Sequence, residues 1–199
     1  CFNCGRNASN VIYHAAILPA AINGDHKPKA IIFDLTPKEI AWRSGPFGAD
    51  ALAGIIVPYV LTNEHFAKLA LELFPKEYYK ARISKLYAYN SLILSIIRNH
   101  ARTKNDNVNG YQPMHGSKVA AQPENVSSLS RDSVDQYSKD RLDFFVKSVT
   151  EKNIPLVVII SPMYALPFED NESLIVSKQI LAKYGVEVLA TDLDTAKAA

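Results

Sequence analysis

Residues 154–164 read Ile-Pro-Leu-Val-Val-Ile-Ile-Ser-Pro-Met-Tyr, and this stretch decides the fold class. Leu156 to Ile160 form an unbroken apolar run rich in β-branched side chains, and Ser161-Pro162 ends it. Such a run is typical of a strand inside a parallel sheet. Two further stretches have similar character, AIIFDL at 30–35 and VEVLATD at 186–192, and the first predicts a buried parallel strand. The sequence therefore predicts three strands of one sheet.

Helical periodicity occupies most of the chain between these strands. Apolar residues recur at intervals of three and four in five segments, which predict helices over 11–22, 63–74, 76–100, 133–152 and 170–184. Strands that alternate with helices are joined by right-handed crossovers, which places helices against a parallel sheet. We therefore predict an α/β fold, a three-layer sandwich around a parallel sheet, with a long helical insertion after the first strand.

The chain of 199 residues predicts one domain over 1–199. At this length a single core buries roughly 70% of the unfolded surface. The stretch from about 102 to 132 is polar, with Asn, Ser, Gly and Pro and little periodicity. We interpret it as a loop excursion within that domain.

Composition argues against several classes of function. The net charge is only +2 and the basic residues are spread along the chain, which argues against nucleic acid or an anionic membrane as the main partner. The apolar runs are far shorter than the ~20 residues of a membrane span. Cys1 and Cys4 have C-x-x-C spacing without a second pair, so we expect no metal site. No P-loop or dinucleotide fingerprint occurs, and we expect no cofactor.

Ligands of open parallel sheets bind beyond the carboxyl ends of the strands. That rule selects residues 3–9, the segment after Asp34, and the turn at 161–164. In the first of these, Gly5 and Asn7 provide turn chemistry and Ser9 and Asn10 suit a helix N-cap. A turn that leads into a helix N-terminus points backbone N–H groups at one spot, which suits an oxyanion or a phosphate. The alternative is an ordinary strand-to-helix turn.

Five stretches together resemble bacterial SGNH (GDSL-type) hydrolases, in particular a poorly characterised subgroup with a helical insertion. They are CFNCGRNASNVIYHAAIL, KPKAIIFDL, KLYAYNSLILSIIRNH, NGYQPMHGS and PLVVIISPMY. The resemblance covers nearly the whole chain. It implies a flavodoxin-like sheet, hydrolysis of acyl or acetyl esters, including esters on carbohydrate, and a periplasmic or extracytoplasmic location.

The resemblance also implies site residues. The family's Asn-x-Gly-x-x-Gly block matches Asn3 to Ala8, which makes Gly5, Asn7 and Ala8 candidates for the oxyanion site. Ala8 stands where the family has its last glycine. The next block falls at 36–39, where Lys38 takes the approximate place of the family's asparagine.

The blocks that supply the family's serine nucleophile and its Asp-x-x-His have no match in 1–199. On this resemblance we expect the stretch to be the interior of such a domain, with the nucleophile and the base outside it.

Two alternatives remain from the residues themselves. Ser161 ends the clearest strand and is a candidate nucleophile, with a base at His14 or His115, although it lacks a G-x-S-x-G context. Asp34, Tyr164 and His14 either line the pocket or have structural roles. The second alternative is a non-catalytic α/β domain that binds a ligand or a partner.

Overall fold

The computed structural model describes residues 3–5, 9–24, 27–36, 39–41, 49–89, 93, 97, 100, 134–160 and 171–190. The chain divides into two compact units, one made of Cys1–Ser9 with Ala49–Ala121 and the other of Asn10–Gly48 with Gln122–Ala199. This division does not test whether the chain folds as one domain, and the prediction of one domain over 1–199 stays a prediction. Several predicted site residues and the predicted loop excursion lie outside the described residues. They are Asn7, Ala8, Lys38, His115, Ser161, Tyr164 and the stretch 102–132.

Six helices and three strands are described along the chain. The helices are α1 (Val11–Ile22), α2 (Ala49–Ile56), α3 (Glu64–Leu73), α4 (Pro75–Ile83), α5 (Gln136–Glu151) and α6 (Glu172–Lys183). The strands are β1 (Ile31–Asp34), β2 (Leu156–Ile160) and β3 (Val188–Ala190). Short 3₁₀ helices lie at Val57–Tyr59 and Tyr87–Tyr89.

The three strands form one parallel sheet in the order β1-β2-β3. Phe33 of β1 pairs with Val158 of β2, and Ile159 of β2 pairs with Leu189 of β3. The α/β class and the parallel sheet predicted from the sequence are thereby confirmed.

The helices that flank the sheet begin where the sequence provides a side-chain cap. Asn10 accepts a hydrogen bond from the Ile12 N–H at 3.1 Å and starts α1. Asp135 and Asn171 accept from N–H groups in the first turns of α5 and α6 in the same way. Each cap satisfies an N–H group that the helix itself leaves without a partner. The turn after α6 contains Gly185, whose φ of 70° suits a residue without a Cβ atom.

One face of the sheet is packed against helices. The Phe33 ring lies 5.1 Å from the Phe145 ring of α5, and α5 packs against both α1 and α6. Because the strand order follows the chain order, two right-handed crossovers place α5 and α6 on the same face. Val158, Val146 and Val149 are fully buried in the resulting core.

The other face of the sheet is exposed. Ile32 keeps 65% of its surface accessible, Leu189 54% and Val157 37%. The sequence predicted a buried parallel strand at 30–35. The parallel pairing is confirmed, Phe33 is buried, and Ile32 is exposed on the second face. The physical reason is topological, since no strand reversal among the described elements sends a helix to the second face. A three-layer arrangement is thus not seen in the described residues.

The other unit is helical in its described part. Asn63 caps α3, whose Phe66, Leu69 and Ala70 are buried. The prediction of a continuous helix over 76–100 is wrong, because α4 ends at Ile83 and Ser84 is extended, with φ −125° and ψ 111°. Pro75 opens α4, at a position where the missing N–H of proline costs nothing.

Candidate functional site

The candidate site lies at the carboxyl end of β1, where the chain leaves the sheet. Asp34 is the last residue of the strand, and the Leu35 N–H still donates to the Ile159 carbonyl of β2 at 2.8 Å. A turn follows, in which the Glu39 N–H donates to the Thr36 carbonyl at 3.1 Å. The Thr36 hydroxyl donates to Oε2 of Glu39 at 2.8 Å, which orients the carboxyl group.

Glu39 is buried in this turn, with only 4% of its surface exposed. Burial raises its pKa to about 7, and the charge of Asp34 acts in the same direction. The hydrogen bonds from Thr36 and from the Val11 backbone favour the charged form but do not outweigh burial. The carboxyl group of Glu39 therefore keeps its proton up to near-neutral pH.

The first turn of α1 lies directly beside this carboxyl group. Nε2 of His14 lies 4.0 Å from Oε1 of Glu39, beyond hydrogen-bond distance. Oε1 is buried and has no hydrogen-bond partner in the described part of the chain. The His14 ring also makes an edge contact with the Phe33 ring, at 5.6 Å between centroids.

Burial lowers the pKa of His14 to about 4, although a fifth of its side chain remains exposed. Burial thus disfavours charge on both groups, and a fixed ion pair does not form at neutral pH. Between about pH 4 and pH 7 a largely protonated carboxyl group and a neutral imidazole face each other instead. One can donate a proton and the other can accept one, which is the division of roles that acid–base chemistry needs.

The structure brings two of the sequence candidates together. His14 and Asp34 both act on Glu39, one through proximity and the other through its charge. The sequence analysis included Glu39 only as a member of the block at 36–39, and the Thr-x-x-Glu spacing of that block predicts a helix start. One signal for a buried carboxyl group was available in the sequence. Thr36 stands three residues before Glu39, and two apolar residues follow, Ile40 and Ala41. The structure shows that both of these apolar residues are buried.

Gly5 is described but is engaged locally. Its N–H donates to Oδ1 of Asn3 at 2.8 Å, and the residue is exposed. An oxyanion would have to replace the Asn3 side chain to use this N–H group. The role of Gly5 stays a prediction.

A metal or a membrane span finds no support in the described elements. No group of three or more His, Cys, Asp or Glu side chains that could hold a metal ion occurs among the residues described. Among the described helices, none is long and apolar enough to cross a bilayer.

No family model, curated protein or solved structure matches this chain. What its elements define is an α/β protein with a parallel sheet and a buried acid–imidazole pair at the carboxyl edge. The resemblance to SGNH hydrolases stays a prediction.

Proposed function

We propose that this chain is the core of an SGNH-like ester hydrolase that acts on acyl or acetyl esters, including esters on carbohydrate. The observation that carries the proposal is the meeting of α1 with the segment after β1. The resemblance assigns two blocks to oxyanion binding, and the second of them occupies 36–39, just after β1. The Val11 N–H and His14 of α1 face Glu39, the last residue of the second of these blocks.

This meeting suits ester hydrolysis for an electrostatic reason. The tetrahedral intermediate carries a negative oxygen, and N–H groups at a helix N-terminus stabilise such an oxygen. α1 begins at the carboxyl edge of the sheet, where ligands of parallel sheets bind. A protonated Glu39 adds no negative charge there, whereas an ionised one would repel the oxyanion.

In the proposed reaction a serine hydroxyl attacks the ester carbonyl and a histidine takes its proton. The proton then passes to the leaving alcohol, and the acyl group stays bound to the serine. Water, activated by the same histidine, attacks this acyl-enzyme and releases the carboxylic acid and the free serine. We assign neither the serine nor that histidine to a residue of the cluster around Glu39. The role of this cluster is to shape and polarise the oxyanion side of the site.

The exposed face of the sheet supports a three-layer architecture for the same protein. Parallel sheets are covered on both faces in nearly all α/β proteins. Ile32, Val157 and Leu189 are the side chains that a further layer would cover.

The experiment is active-site labelling of the gene product with a fluorophosphonate probe, followed by peptide mass spectrometry. We expect one serine to be labelled and the hydrolysis of p-nitrophenyl acetate to fall in proportion. The same reaction after heat denaturation is the control, since a surface serine would react equally in both. A native protein that neither reacts with the probe nor cleaves aryl or carbohydrate acetates would overturn the proposal.

The second candidate is a non-catalytic domain that binds a ligand or a partner. It is favoured by the composition of the described cluster, which contains Asp34, Thr36, Glu39 and His14 but no serine. A protein that fails the labelling test but is stabilised against heat by an acetylated oligosaccharide would fit this candidate instead.

A further inference from the structure

The outer side of α4 and the turn after it form an exposed surface, which we call the α4 surface. It consists of Lys76, Tyr79, Arg82, Ile83, Lys85 and Leu86. The opposite side of α4 faces inward, where Ala81 is fully buried. Helix α4 is thus held by its inner side and presents a separate outer side to solvent.

The α4 surface exposes three large apolar side chains. Ile83 keeps 88% of its surface accessible, Leu86 73% and Tyr79 58%. Tyr79 and Ile83 are four residues apart and therefore lie on the same side of the helix. Leu86 follows in the turn after the helix, so three exposed apolar side chains occur within eight residues. Large apolar side chains exposed so close together in the chain are a candidate interaction site.

Basic residues surround these apolar side chains. Between 75 and 89 the chain has four basic residues and one acid, Glu77. Lys80 donates to Glu77 at 2.8 Å, which uses the charge of that acid. Within the described part of the chain, Lys76, Arg82 and Lys85 make no ion pair.

We propose that the α4 surface binds the surface of an anionic lipid bilayer. Ile83 and Leu86 would enter the boundary between headgroups and acyl chains, where Tyr79 also suits the interface. The three unpaired cations would contact lipid phosphates while their aliphatic stems lie along the membrane. The net charge of the whole chain is only +2, which argued against an anionic membrane as its main partner. The α4 surface departs from that average, since residues 75–89 hold four basic residues and one acid, and the proposed attraction is therefore local.

A fluid bilayer fits this surface better than a folded protein partner does. The residues that dominate protein interfaces insert into shaped pockets of the partner. Ile83 instead protrudes at the end of a helix, with most of its surface free. A bilayer accommodates such a side chain without a shape match, and its negative surface complements the cations.

The test is co-sedimentation of the intact gene product with two kinds of vesicles, phosphatidylcholine alone and phosphatidylcholine mixed with phosphatidylserine. We expect binding to the mixed vesicles that weakens as salt is added. Each basic residue contributes about fivefold, so Lys76→Gln, Arg82→Gln and Lys85→Gln together should weaken binding about a hundredfold. Ile83→Ser with Leu86→Ser should weaken it about tenfold or more.

A matched control comes from α6, where Ile175 and Lys178 are also exposed. Ile175→Ser with Lys178→Gln should leave vesicle binding unchanged. All three variants should keep the wild-type circular dichroism and melting temperature, because the replaced side chains are exposed.

Three results would overturn the proposal. The first is the absence of binding to phosphatidylserine vesicles. The second is binding that the control variant reduces as much as the α4 variants do. The third is binding to a soluble acidic protein, sensitive to the α4 substitutions, by a protein that does not bind vesicles. The proposal does not depend on the hydrolase function, since the vesicle assay requires no catalytic step.

Discussion

The two faces of the sheet in the second unit carry apolar side chains but have different surroundings. Phe33 and Val158 lie on one face and are 4% and 0% exposed, whereas their neighbours Ile32 and Val157 are 65% and 37% exposed. Because successive side chains of a strand point to opposite faces, the two sets differ only by one position in the chain. Hydrophobicity alone therefore does not say which residues are covered; the path of the crossovers does.

The largest expected effect is at the covered face. Phe33→Ala should lower the free energy of unfolding by about 3 to 5 kcal/mol, because it removes a ring that packs against Phe145 and leaves a cavity. Ile32→Ala, one residue earlier, should lower it by about 0.5 kcal/mol or less. Urea unfolding followed by circular dichroism measures both. Equal losses for the two variants would mean that both faces are covered in solution.

The buried pair beside the covered face should make stability depend on pH in two opposing ways. The pKa of Glu39 is raised from 4.5 to about 7, so its contribution to stability is present below pH 4.5 and is lost as the pH rises to 7. By itself this loss approaches about 3 kcal/mol. The pKa of His14 is lowered from 6.5 to about 4, so its contribution is present above pH 6.5 and is lost as the pH falls to 4.

Single substitutions separate these two contributions. In Glu39→Gln the His14 contribution remains. As the pH increases from 4.5 to 7, the free energy of unfolding of this variant should therefore rise relative to that of the wild type. In His14→Gln the Glu39 contribution remains. As the pH increases from 4 to 6.5, the free energy of unfolding of this variant should therefore fall relative to that of the wild type. Urea titrations across this range measure both differences. Two variants with the same pH profile as wild type would show that neither group is buried as described.

The smallest expected effect concerns the exposed face. When residues 1–199 are expressed by themselves, Ile32→Lys should change the free energy of unfolding by about 0.5 kcal/mol or less and should reduce any self-association, since it places a charge on a face that is exposed in this stretch. Analytical ultracentrifugation together with urea unfolding tests this. A loss of several kcal/mol would instead reveal a further layer over this face, as the three-layer proposal requires, and Phe33→Lys is the reference for a buried charge.

Local signals predicted most of the elements. The helix over 11–22 and the positions of the three strands follow from periodicity and, for that helix, from the Asn10 cap, which acts within a few residues. The prediction of a helix over 76–100 was wrong, because the apolar spacing continues past Ser84 whereas the helical backbone ends at Ile83. The sequence analysis looked for a site at the carboxyl edge of the sheet, and that location stays a prediction. It did not recognise the burial of Glu39, since a glutamate after a strand is ordinarily solvated.

The sequence by itself determined the α/β class, the parallel strands and the starts of α1 and α3, because hydrophobic period and capping chemistry act over one or two turns. The tertiary structure alone decided three other properties. They are the burial that raises the pKa of Glu39, the 4.0 Å approach of His14 to it, and the exposure of one face of the sheet. Each depends on segments distant in the chain, since burial and proximity arise when α1 and α5 pack against the strands.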